Sequence, residues 1–174
     1  NWETFTGYEN PVGWDSPNEE TSAASIYTVT KSTDAYEGSF SASLETKNAL
    51  VNIPGVLVNG DFVLDIMSQT VSITGGEPFT EQPLVFSGYY KYTPGGIDSC
   101  AIVLGLFKWN TTTMERDTVA YAEFYQADTV TEWTEFSIDL TYNSGVVPDS
   151  LMVVASSSNP DNPVSGSPLI LEGI

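Results

Sequence analysis

Tyr89 and Lys91 in the run LVFSGYYKY, and Tyr121, Glu123 and Tyr125 in VAYAEFYQA, are the residues whose types and spacing can do chemistry. In a β-strand, side chains two apart share a face. Ser87, Tyr89 and Lys91 then point away from Phe86, Gly88, Tyr90 and Tyr92. By the same alternation Tyr121, Glu123 and Tyr125 point away from Ala122 and Phe124. Both outer sets combine rings with polar groups. Sugars lay their C–H faces on flat rings and are oriented by polar side chains beside them. With Trp109 at a strand end, these six residues form one candidate site for a neutral polysaccharide or glycan.

Glycoside hydrolysis is the sharper alternative. Glu123 in YAEFY is flanked by aromatics, as a catalytic glutamate of a small jelly-roll xylanase is. The reaction needs a second carboxyl about 5–9 Å away across the cleft. Glu132, Glu135 and Glu172 lie in no comparable strand context, and nothing pairs Glu45 with Glu123. The chain also lacks histidine, the commonest general base and transition-metal ligand. Its single cysteine, Cys100, reads as a buried free thiol. The expectation is a non-catalytic module with no required cofactor and no catalytic residue.

Charge narrows the partners. There are 23 acidic against five basic residues, a net charge of −18. Nucleic acid and anionic lipid need clustered Lys and Arg and are excluded. No apolar run approaches the ~20 residues of a membrane span, so direct membrane insertion is not expected. The abrupt start at Asn1 and apolar end at Ile174 read as a domain cut from a longer secreted or cell-surface polypeptide.

The elements that must position these residues are strands. Helical periodicity is missing, and short runs rich in Val, Ile, Thr, Tyr and Phe recur between Gly, Pro, Asn, Asp and Ser. Ten strands are legible: SIYTVTKS, SFSASLET, FVLDIM, QTVSI, PLVFSGYYKYT, SCAIVLGLFKW, TVAYAEFYQA, TEFSIDLTY, DSLMVVASSS and PLILEGI. That spacing predicts a sandwich or closed barrel. AIVLGLFKW is apolar in both alternation sets, which predicts a central strand. Residues 9–21 and 157–168 read as loops, and Trp2 and Trp14 as plugs at the sandwich ends. No linker divides the chain, so residues 1–174 form a single domain.

The phrases NWETFTGYENPVGWDSPN, TVTKSTDAYEGSFSASLETK, PGVLVNG, GGEPFTEQPLVFSGYYKYTPGGIDSC, FKWNTTTMERDTV, WTEFSIDLTY and PDSLMVVASSS occur in that order. Together they resemble the putative carbohydrate metabolism domain of Bacteroidota, found in secreted proteins that include type IX secretion cargo. The resemblance covers nearly the whole chain. It implies an all-β fold, a two-sheet antiparallel β-sandwich of jelly-roll type, as in galactose-binding and carbohydrate-binding modules. It also implies a secreted or cell-surface location. Related sandwiches hold a structural calcium near the first and last strands. By that resemblance Asp34 and Glu172 are the candidate metal ligands, with Glu172 and Gly173 standing where the family carries an aspartate pair. The other function class is a structural or adhesive domain, its partners being further chains of a surface assembly.

Overall fold

A computed structural model describes residues 1–65, 68 and 70–174. Ile66, Met67 and Gln69, which belong to the expected strands FVLDIM and QTVSI, lie outside the described residues. The N-terminal strands are β1 (Trp2–Thr4), β2 (Glu9–Pro11), β3 (Val29–Ser32), β4 (Ser41–Glu45), β5 (Lys47–Asn48) and β6 (Asn52–Ile53). Next come β7 (Val56–Val58), β8 (Asp61–Asp65), β9 (Thr70–Thr74) and β10 (Glu77–Pro78). The long strands are β11 (Val85–Tyr92), β12 (Cys100–Asn110), β13 (Glu115–Gln126) and β14 (Val130–Asp139). The chain ends with β15 (Thr141–Tyr142), β16 (Ser150–Ser156) and β17 (Pro168–Glu172). Within the expected 9–21 loop sit β2 and one helical turn, α1 (Asn18–Thr21).

Two antiparallel sheets make the jelly-roll sandwich. One runs β14-β11-β17-β4-β3. The other runs β10-β16-β12-β13-β15, with β7 also on β16. β12 pairs with β13 on one side and β16 on the other, the central position its apolar composition predicts. Strand alternation fills the space between the sheets. Ile102, Leu104 and Leu106 of β12, Ala122 of β13 and Val153 and Ala155 of β16 meet Phe86, Tyr90 and Tyr92 of β11, Phe136 of β14 and Leu169 and Leu171 of β17. Each of the valine, leucine, isoleucine and phenylalanine side chains among them contributes about 1.5–3 kcal/mol by leaving water. Trp2 and Trp14 pack against this core.

Two irregularities matter for the faces. Between Leu106 and Phe107 the partner on β13 jumps from Ala120 to Thr118, a bulge that lets the consecutive Val119 and Ala120 both be buried. The stretch TEFSIDLTY, expected as one strand, divides at Leu140: β14 pairs with β11 and β15 with β13. The chain changes sheets there, with Leu140 buried in the core at the crossing.

Cys100 is buried at the start of β12. Burial is the main cause that pushes its thiol up to about 12. Native protein is therefore expected to resist iodoacetamide at about pH 8, where an ordinary thiol reacts readily. Equal labelling of native and denatured protein would show the thiol to be outside the core.

Candidate functional site

β7 and β10 pair with the same edge of β16, β7 opposite Val154–Ser156 and β10 opposite Ser150–Leu151. They are two halves of one edge strand, interrupted by a hairpin of β8 and β9. That hairpin leaves the edge and folds over the outer face of the six-stranded sheet. Its register places Phe62 opposite Ile73 and Leu64 opposite Val71, so these four share one apolar face. They form the wall of a groove of about 1020 Å³ whose floor is Ala101 and Val103 of β12 and Val154 and Ser156 of β16. Asn159, Asp161 and Asn162 from the loop after β16 line it too, with Tyr125 on the β13 side. A shallower depression of about 440 Å³ continues across the sheet, sharing Val103 and Val154 and adding Tyr121, Glu123, Phe107 and Asn143.

The register explains this alignment. Tyr121 lies opposite Gly105, Glu123 opposite Val103 and Tyr125 opposite Ala101. Next along, Met152, Val154 and Ser156 continue the same three rows. Small floor residues leave room above the sheet, and the rings rise at its margin: Tyr125 is 59% exposed and Tyr121 37%. A side chain at Gly105 would meet the Phe107 ring, because a Cβ there would lie 2.5 Å from it. Phe107 therefore lies flat on the floor, with the Arg116 guanidinium 5.7 Å from its ring centroid. Phe107 was missed among the candidate residues. The available signal was a glycine two positions earlier on the same face.

Side-chain oxygens hold the groove's outer parts. The hairpin is gripped by two carboxylates of the segment around α1. Asp15 accepts the amide of Phe62 and Glu20 that of Leu64, each at 2.9 Å. Arg116 donates to the Gly75 carbonyl at the hairpin's return. The loop after β16 is pinned by Asp98, which accepts from the hydroxyls of Ser158 and Ser167 at 2.6 Å each. Asp98 also accepts from the amides of Ser99 and Asn159. Burial alone would raise its pKa, but these four donors outweigh it and hold the carboxyl below the usual range.

The expected site residues divide between opposite outer faces. Tyr121, Glu123 and Tyr125 are together on the six-stranded sheet. Trp109 stands exposed at the end of β12, outside the groove lining, its amide donating to Asp149. That hydrogen bond, more than the nearby Lys108, keeps the Asp149 carboxyl below its ordinary value. Tyr89 and Lys91 belong to β11, in the other sheet. The grouping of Tyr89 and Lys91 with Tyr121, Glu123 and Tyr125 in one candidate site is corrected by the structure, since Tyr90 and Ala122 both point into the core between the two sets.

Tyr89 and Lys91 instead meet Asp34 and Glu172. Lys91 donates to both Asp34 oxygens, at 3.0 and 2.8 Å, and Trp133 Nε1 donates to one of them at 3.0 Å. The Lys91 hydrogen bond is the main reason the Asp34 carboxyl lies below its usual range. Glu172 accepts the amides of Tyr36 at 2.6 Å and Glu37 at 3.0 Å. Tyr36 stacks on Tyr89 with ring centroids 3.7 Å apart. This set does not fit a calcium ion. An ammonium, an indole N–H and two amides already point at the carboxylates and would oppose a cation. Among the described residues, no three acidic, Cys or His side chains gather as a metal site. The two carboxylates act as loop anchors.

A sequence profile described as "Putative carbohydrate metabolism domain" matches residues 2–169. The chain belongs to this family. Two solved structures share the fold of this carbohydrate metabolism domain. A protein described as a putative glycoside hydrolase from Bacteroides thetaiotaomicron superposes on 98% of the chain with TM-score 0.74 at 20% identity. The domain spans 64% of that protein. A second putative glycoside hydrolase, from Bacteroides vulgatus, gives TM-score 0.71 at 20% identity over 98% of this chain and 87% of its own. At such identity the likeness establishes architecture and no residue roles. No curated protein matches the chain.

Proposed function

We propose that this domain is a non-catalytic carbohydrate-binding module of a secreted or cell-surface protein, seating a neutral glycan in the groove over its six-stranded sheet. The observation that carries this reading is the row of Tyr121, Glu123 and Tyr125 beside a floor that includes Gly105, Ala101 and Val103, continuous with the groove. The rings offer flat surfaces, while Glu123, Asn143, Asn159 and Asn162 offer hydrogen bonds to hydroxyls. Among the described lining residues there is no Lys or Arg, and the protein carries −18. Both features oppose uronate or sulfated glycans and favour uncharged ones. The non-catalytic reading rests on Glu123: the facing rows of β12 and β16 offer it Val103 and Val154 rather than a second carboxyl.

Calorimetric titration with neutral oligosaccharides and polysaccharides tests this. Tyr125→Ala is expected to weaken binding about tenfold, the value of roughly one stacked ring. Tyr89→Ala, on the opposite face, should leave binding unchanged. Failure to bind any neutral glycan, or equal losses from both variants, would remove the reading. Release of reducing sugar that disappears in Glu123→Gln would replace it with a hydrolase.

A further inference from the structure

We infer that the groove's ligand is an amphipathic glycoconjugate, its alkyl or acyl chain entering the chamber under the β8–β9 hairpin while its uncharged sugar lies on the Tyr121–Glu123–Tyr125 row. This rests on the saccharide reading above and names the class of saccharide. The chemistry of the chamber differs from that of the row. Leu64, Val71 and Ile73 of the hairpin face Val103 and Val154 of the floor, all aliphatic. Phe62 is buried, which leaves Tyr125 at the margin as the ring a sugar could stack on. The polar side chains of the lining, among them Asn159, Asp161 and Asn162, come from elsewhere than the hairpin. Against the hairpin itself sugar hydroxyls would lose water without gaining partners, a cost of roughly 1–3 kcal/mol each. A hydrocarbon chain gains there instead.

The space is built rather than incidental. An apolar hairpin face set opposite an apolar sheet face would be drawn into contact unless its path were fixed. Here the path is fixed at both strands. Asp15 and Glu20 hold the amides of β8, and Arg116 holds the carbonyl of Gly75. At the roots, Gly60 packs against the Thr74 carbonyl and Gly76 against that of Leu151, where a Cβ would stand 2.4 and 2.7 Å away. The resulting volume, about 1020 Å³, is at the upper end of the ~300–1,000 Å³ common for small-molecule sites. It is far more than one sugar ring needs. Chamber and row are continuous through Val103 and Val154, which line both. One molecule can therefore span them, hydrocarbon at one end and sugar at the other.

The experiment is titration with methyl, hexyl and octyl β-glucosides, β-galactosides and α-mannosides, each below its micelle-forming concentration, followed by calorimetry and ligand-observed NMR. Affinity is expected to rise about three- to fourfold per methylene until the chamber is filled, with an increasingly negative heat-capacity change. Ile73→Asn should flatten that dependence, so that octyl glycosides bind no tighter than methyl glycosides. Val71→Asn, at an exposed wall position, makes the same test if the first variant fails to fold. Affinity independent of chain length, with oligosaccharide binding intact, overturns the chamber and leaves the saccharide reading standing. An octyl polyoxyethylene ether bound as tightly as the octyl glycosides overturns both, because the sugar then contributes nothing. Binding by none of these compounds overturns the chamber, and overturns both only when neutral oligosaccharides also fail to bind.

Discussion

Replacing Asp98 by alanine is expected to lower the unfolding free energy by about 3 kcal/mol and to weaken the proposed glycan binding even where the protein stays folded. The carboxylate is 7% exposed and accepts four hydrogen bonds, two from hydroxyls and two from amides. Bonds to a charged acceptor contribute roughly 1.5–3 kcal/mol each, and removing the acceptor leaves buried donors without partners. Water entering the vacated space recovers part of the loss, which keeps the total near the upper range of single substitutions. Because two donors belong to Ser158 and Asn159, the loop that carries Asn162 to the groove loosens with it. Asp98→Asn is expected to cost less, about 1–2 kcal/mol, since one oxygen still accepts the two amides. The pH dependence separates charge from shape. The folded pKa lies below the unfolded value of ~3.9. Asp98 therefore stabilises fully above that unfolded value, and the contribution is lost as pH falls through the folded one. Denaturant unfolding of wild type and Asp98→Asn, followed from neutrality to about pH 2, should show a gap that closes below about pH 4. A gap constant over that range would mean that the charge at Asp98 contributes nothing.

Faces were legible in the sequence where alternation is local. Phe86, Tyr90 and Tyr92 turn inward and Tyr89 and Lys91 outward, as the period of two requires. Which sheet a strand joins is another matter. β11 pairs with β14 and β17, and β13 with β12 and β15. Each run carries the same pattern, so nothing in it distinguishes one outer face from the other. That is why Tyr89 and Tyr121 read as neighbours and stand on opposite sides. The hairpin of β8 and β9 shows the same limit. Its alternation matches any half-buried strand, yet it buries its apolar side against a groove rather than the core. Nothing in the run GGIDSC marks Asp98 as special. Its weight comes from Ser158 and Ser167, 60 and 69 residues further on. Asp34 and Glu172 were named as metal ligands by family resemblance; in the structure Lys91 and Trp133 engage the first and the amides of Tyr36 and Glu37 the second.

Gly55→Ala is expected to be as damaging as the loss of Asp98, for a steric reason. A Cβ on Gly55 would lie 2.5 Å from the Glu45 amide nitrogen, 2.6 Å from the Thr28 carbonyl oxygen and 2.9 Å from the Leu44 carbonyl carbon. All three are backbone, so no side-chain rotation relieves the contact. The Glu45 amide donates to the Thr28 carbonyl at 2.8 Å. Gly55 thus lies flat against a rung beside β3 and β4 of the five-stranded sheet. Its other side faces the opposite sheet: its amide donates to Ser157 Oγ at 3.0 Å and its carbonyl accepts the Ser157 amide at 2.9 Å. A methyl group here must either break the rung or push the chain off Ser157. Overpacking of a tight site costs about 1–3 kcal/mol, and contact with fixed backbone belongs at the top of that range. For a chain of this length that is a fall of about 6–12 °C in melting temperature. Ile53, Pro54 and Val56 beside it line the groove, so the same displacement should weaken ligand binding in protein that remains folded. Gly145→Ala is the control, since nothing lies within 4 Å of a Cβ there, and its effect should stay within about 0.5 kcal/mol. A Gly55→Ala protein that melts with the Gly145→Ala control would show that the two sheets do not approach each other through this residue.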